Sequence, residues 1–133
     1  SIRFSVHISS QNFGRSMTGD SPYIALMLDS IAKIRSFTAS VSFDAFAHNQ
    51  EKQSAVLMQL LLIGELSRHV SEEAKQNIAI PWAEIAGMRN RVVHEYHDVD
   101  LNTVWKIVTE DLTLTEAPLA KYLKEHPLPE EEA

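Results

Sequence analysis

The sequence predicts an all-α domain, an antiparallel bundle of four to five helices, and three observations predict it. From Ser21 onward apolar residues recur at helical spacing in one segment after another. Of only four glycines in 133 residues, two lie before Ser21, so the rest of the chain is poor in the residue that most weakens helices. Helix-opening signals also stand before the apolar segments, at Ser21-Pro22, Ser42 and Asp100. Segments of this kind bury their apolar faces most simply against one another.

Residues 1–20 are expected to be a disordered or vector-encoded extension. Ser1 to Ser16 carry two arginines and a histidine but no acid, and Met17 is a plausible natural start. The helical domain is expected over 21–126. At its start Ser21 is expected to cap the first helix and Pro22 to occupy its first position. Ile24, Leu28, Ile31 and Ile34 then form an apolar face. Ser42 before Phe43, Asp44 and Phe46 predicts a short capped helix. A long helix is expected from about Asn49 to Val70. Its middle, Ala55 to Ile63, is apolar nearly all round, as a central bundle helix requires. Gly64 within it is expected to mark a close approach between helices.

Ser71 to Gln76 reads as a brief helical turn, and Ile80-Pro81-Trp82 opens the next helix. Asp100 is expected to cap a helix from Leu101 to Leu112 carrying Val104, Trp105, Ile107 and Val108. A separate last helix is expected around Pro118 to Lys124. Residues 127–133, with Pro127-Leu-Pro129 and Glu130 to Glu132, read as an acidic, solvated tail.

Composition narrows the function classes. The 44% apolar and 23% charged content is ordinary for a globular protein. The longest apolar run, broken by Gln59 and followed by Glu65, is too short to span a bilayer, so no membrane role is expected. With no cysteine, disulfides and thiolate metal sites are excluded; this fits a cytoplasmic setting. Twelve Lys and Arg stand against 18 Asp and Glu, a net charge of −6. Such a chain is repelled by nucleic acid unless cations gather locally.

The informative segment runs from Trp82 to Tyr96. At about 100° per residue, Trp82, Ile85, Arg89, Val93 and Tyr96 line one stripe of a helix. Arg89 stands there where an apolar residue is expected, and a guanidinium is almost never fully buried without a partner. It therefore either pairs with a carboxylate (Glu65, Glu84 or Asp98) or faces a cleft that receives an anion such as phosphate. Asn90, His94 and His97 share an adjoining face, and His94 points about 140° away from Arg89 on an ideal helix. Both can serve one atom if the Arg side chain reaches round, if the helix is distorted near Gly87, or if a second copy of the chain contributes. A dimeric site is the most economical of these. Each residue also has a plain reading: Arg89 as an ion pair at the core edge, His94 as a surface histidine, Tyr96 as core with its hydroxyl at the rim. His97 beside Asp98 suits a helix C-terminus.

Ile80 to Tyr96, Asp98 to Leu101, Val104 to Leu112, Ile63-Gly-Glu65 and the Ser42-Phe43 turn together resemble the HepT-like branch of the HEPN proteins, over roughly Tyr23 to Tyr122. The core motif is Arg, four residues, His, one residue, Tyr, met here by Arg89, His94 and Tyr96. The resemblance implies a HEPN-type bundle and a homodimer cutting RNA, not DNA, without metal or cofactor, as the toxin of a type VII-like toxin–antitoxin pair. It implies that Arg89 holds the scissile phosphate and that His94 acts as general acid or base. Asn90 would orient the phosphate or His94. Tyr96 would be the residue adenylylated by a nucleotidyltransferase antitoxin, which places negative charge beside Arg89. Glu65, in the family's Ile-Gly-Glu stretch, would support the site, as a structural ion pair. Glu95 departs from the glycine found there in many members and adds a negative charge near the site. Two other readings stand beside this one: a non-catalytic nucleotide-binding module partnering a nucleotidyltransferase, and a plain dimerising bundle.

Overall fold

The computed structural model describes residues 19–129, and the elements in it are helical. Helix α1 (Ser21–Thr38) is followed by the short α2 (Phe43–Ala47) and the central α3 (Gln50–Ser67). A second short helix, α4 (Glu72–Gln76), leads to α5 (Trp82–Glu95), which tightens into a 3₁₀ turn over Tyr96–Asp98. Then α6 (Leu101–Lys106) passes through a π-helical stretch, Ile107–Asp111, directly into α7 (Leu112–Glu125).

Local chemistry explains most boundaries. Ser42 accepts a hydrogen bond from the Ala45 amide at 3.1 Å, Asn49 from Lys52 at 3.0 Å, and Ser71 from Ala74 at 3.1 Å. Each satisfies an amide that the helix start would otherwise leave orphaned. Asp100 accepts from the Asn102 amide at 3.0 Å and from the Thr103 hydroxyl at 3.1 Å. These bonds, the Asn102 amide foremost, favour its charged form and hold its carboxyl below the ordinary range.

The first helix opens differently from the expectation. Asp20 is its N-cap residue and gives it no side-chain cap. The Asp20 carboxylate instead accepts from the Ser71 amide and hydroxyl, both at 2.7 Å. Ser21 lies inside the helix and donates to the His126 carbonyl at 2.6 Å. Both polar groups are taken by tertiary partners, which sequence spacing does not reveal. These bonds tie Asp20 to the bundle; residues 1–18 of the expected extension and 130–133 of the acidic tail lie outside the described residues.

Two other boundaries shift. The long helix stops at Ser67, short of Val70. The two helices expected over 101–112 and 118–124 are one continuous helical run, with Pro118 inside α7. Proline there removes the donor to the Leu114 carbonyl. Leu114 is exposed, so water can serve that turn. Across the π stretch Val104, Val108 and Leu112, each four residues apart, are all buried.

Cross-links show the antiparallel order. Lys52 at the start of α3 donates to the Phe37 carbonyl at the end of α1, at 2.8 Å. Arg35, near the end of α1, pairs with Glu116 of α7 at 3.1 Å. Helix α3 packs between α1 and α5, and α7 returns along α1. Ile24, Met27, Ile31 and Ile34 of α1, Val56, Leu60 and Ile63 of α3 and Leu119 of α7 form the core. Each such side chain, fully buried, contributes roughly 1.5–3 kcal/mol. Phe46 of α2 is completely buried with its ring 5.0 Å from that of Trp105. No helix among the described residues is long and apolar enough to cross a membrane.

Candidate active site

The site begins at Gly64. A Cβ placed there would lie 2.8 Å from the Arg89 amide nitrogen and 3.0 Å from the Ile85 carbonyl oxygen, both backbone atoms of α5. Only a glycine lets the two helices come this close. The expected close approach is therefore real, and it falls at the backbone of Arg89.

Glu65, the next residue, meets the Arg89 side chain. Arg89 Nε lies 2.9 Å from Glu65 Oε1, with the two side chains 37% and 42% exposed. The contact is one of charges: Oε1 is buried yet receives no hydrogen bond, because the N–H is not aimed at it. Arg89 Nη1 donates to Asn90 Oδ1 at 3.2 Å. Two of the guanidinium nitrogens are thus engaged, while Nη2 has no protein partner among the described residues. Of the readings open for Arg89 in the sequence, the carboxylate pair is present, with Glu65, and the side chain stays partly exposed.

Tyr96 begins the 3₁₀ turn after α5. It is 48% exposed and not a core residue, and its hydroxyl shares a hydrogen bond with Ser54 Oγ of α3 at 3.0 Å. The His97 ring meets its edge at 5.6 Å. Ser54 was not foreseen. The available signal was spacing: Ser54 and Glu65 are 11 residues apart, about three helical turns, so they share one line of α3 with Met58. Arg89, Val93 and Tyr96 form the matching line of α5. The two lines run antiparallel, with Ser54 on Tyr96 and Glu65 on Arg89. Between them lie Met58 and Val93, which are exposed at 54% and 47%.

His94 is not part of this arrangement. It lies on the exposed surface of α5, and α5 runs without a break through Gly87, around which a Cβ would meet nothing within 4 Å. The helical geometry therefore keeps its turn of about 140° from Arg89. Asn90 reaches Arg89 and not His94. Glu95 is exposed on the same helix.

Two adjoining cavities, of about 340 and 320 Å³, lie between α5 and the α6–α7 run. Arg91 and Met88 line both, but none of Arg89, Asn90, His94 and Tyr96 does. The candidate site is thus an open surface between α3 and α5 rather than a pocket.

The profile of the family described as Ribonuclease HepT-like matches residues 27–125. A Thermococcus cleftensis protein named "Probable ribonuclease HepT" is 33% identical over 103 residues, covering 77% of this chain and 94% of its own. A Methanocaldococcus jannaschii protein assigned as an RNase is 33% identical over 87 residues, 65% of this chain and 80% of its own. A third, from Caldanaerobacter subterraneus and also assigned as an RNase, is 26% identical over 104 residues, 77% of this chain and 93% of its own. No solved structure matches the chain. The chain belongs to the HepT-like ribonuclease family.

Proposed function

We propose that this protein is a metal-independent endoribonuclease whose site is completed by a second copy of the chain. The observation that carries the reading is the placement of Arg89. It is an arginine held on one edge by Glu65 and on another by Asn90, with Nη2 left without a protein partner among the described residues, on a face that also exposes Met58, Val93 and Tyr96. A fixed guanidinium with an open edge suits a phosphate, whose charge grows in the transition state. The exposed apolar side chains around it suit a protein contact.

His94 supplies proton transfer from the other copy. On its own helix it points away from Arg89, so a homodimer in which two α5 helices face each other brings Arg89 of one copy to His94 of the other. The 2′-oxygen attacks the phosphorus, the 5′-oxygen leaves, and a 2′,3′-cyclic phosphate remains. Asn90 fixes the Arg89 fork. The net charge of −6 is not offset along this helix, where α5 and its following turn carry Arg89 and Arg91 against Glu84, Glu95 and Asp98, so RNA contact in this reading rests on the Arg89 guanidinium itself.

In this reading the protein is the toxin of a type VII-like pair whose antitoxin is a nucleotidyltransferase. Tyr96 is its target: half exposed, on the same line of α5 as Arg89, with a hydroxyl held by Ser54. AMP attached there adds bulk and negative charge on the face that receives RNA.

Cleavage of a defined RNA in EDTA, beside the His94→Ala variant, tests the proposal. The wild type is expected to leave cyclic-phosphate ends, and His94→Ala to lose at least about 10²-fold in rate. No cleavage by unmodified, dimeric protein across several RNAs, with nucleotide affinity that depends on Arg89, would replace this reading with that of a nucleotide-binding module.

A further inference from the structure

We infer that Glu65 is the general base of RNA cleavage, a catalytic residue rather than only the holder of Arg89; the inference rests on the ribonuclease reading above. Three features of the site carry it.

First, Glu65 is placed with backbone accuracy. The missing Cβ of Gly64 seats α3 directly against the α5 backbone at Arg89, so the next residue on α3 is delivered beside the phosphate-binding group. Second, the carboxylate is divided. Oε1 is buried against Arg89 Nε at 2.9 Å and receives no hydrogen bond, while the side chain as a whole is 42% exposed. One oxygen is buried against the arginine, and the exposed part of the group belongs to the open surface between α3 and α5. A carboxylate used only to hold an arginine gains most from aligned, paired N–H donors, and this one has none. Third, Arg89 leaves Nη2 without a protein partner among the described residues. A phosphate taken at that edge lies next to the carboxylate. In this assignment the 2′-oxygen of the same nucleotide, which must come within about 3–3.5 Å of the phosphorus to react, lies on the Glu65 side.

This placement divides the work of an in-line displacement, whose nucleophile and leaving group lie on opposite sides of the phosphorus. Glu65 takes the proton of the 2′-hydroxyl as the 2′-oxygen–phosphorus bond forms. The phosphorus–5′-oxygen bond breaks, and protonated His94 of the second copy gives its proton to the 5′-oxygen. The products are a 2′,3′-cyclic phosphate and a 5′-hydroxyl. The protein is left with a protonated Glu65 and a neutral His94, which re-equilibrate with water. The angular separation of His94 from Arg89 becomes a requirement, since acid and base must approach from different sides.

Two substrates separate the roles. One is an RNA oligonucleotide; the other is a nucleoside 3′-(4-nitrophenyl phosphate), whose leaving group departs without a proton. Glu65→Gln keeps the shape and an oxygen toward Arg89 but cannot accept the proton. It is expected to lower kcat by about 10²–10³-fold on both substrates, with KM within a few-fold. His94→Ala is expected to lose activity on RNA and to recover most of it on the nitrophenyl ester. Glu65→Asp, which keeps a base, is expected to retain more kcat than Glu65→Gln. Recovery of Glu65→Gln on the nitrophenyl ester would overturn the assignment. So would a loss confined to KM, which would make Glu65 a positioning residue for Arg89. A wild type inactive on both substrates would overturn the ribonuclease reading itself, and this inference with it.

Discussion

Arg89 is the residue on which the proposed chemistry turns, and its environment is built from near neighbours. Glu65 and Asn90 each take one guanidinium nitrogen, which limits the conformations of a long side chain before any ligand arrives. An exposed ion pair of this kind contributes little to stability, at most about 1 kcal/mol, so its use lies in orientation. Other residues act locally and away from the site. Asp100 caps α6, and its lowered carboxyl shows that the charged form is the better cap. Its contribution is complete above the ordinary carboxylate range and is lost as pH falls through the lowered value. Asp100→Ala is therefore expected to melt at a lower temperature than the wild type at neutral pH. The gap is expected to narrow in acid, where the wild-type carboxyl protonates, and melting curves at the two pH values check this. A gap that did not change with pH would mean that the charge of Asp100 has no part in capping.

At the scale of elements, the contact of α3 with α5 matters most, and Gly64 sets it. Alanine at this position gains helix propensity of nearly 1 kcal/mol, but its Cβ meets backbone that cannot swing away as a side chain would. Overpacking of this kind costs about 1–3 kcal/mol. Gly64→Ala is expected to lower stability in denaturant titrations and to reduce RNA cleavage by displacing Arg89. Unchanged stability and activity would show that the two helices are not held this closely. Much of the element structure could be read in the sequence where the cause is local. Ser42 and Asp100 cap as expected, and the apolar surface of α3 places it at the centre. Where the cause is tertiary, the reading failed. Ser21 looks like a cap because of its type, but His126 takes its hydroxyl and Ser71 takes the Asp20 carboxylate. Pro118 looks like a helix start, yet it sits within α7, where the exposed turn at Leu114 tolerates the lost bond. Arg89, His94 and Tyr96 were visible as a motif. Their mutual geometry was visible only in part: the angle between Arg89 and His94 follows from helical pitch, whereas Ser54 beside Tyr96 depends on how α3 and α5 align.

At the scale of the whole molecule, the proposed site needs residues from two copies. Arg89 and Glu65 lie on the α3–α5 face with exposed Met58, Val93 and Tyr96, and His94 lies on another face of the same helix. In the proposed dimer Arg89 of one copy works with His94 of the other, and mixed dimers test this most directly. Arg89→Ala and His94→Ala homodimers are each expected to be inactive. After subunit exchange, half of the dimers pair one of each and hold one site with both residues intact, so activity is expected to return to about a quarter of the wild-type level. Exchange verified by mass, with no return of RNA cleavage, would contradict the shared site and place Arg89 and His94 of the same chain in one centre.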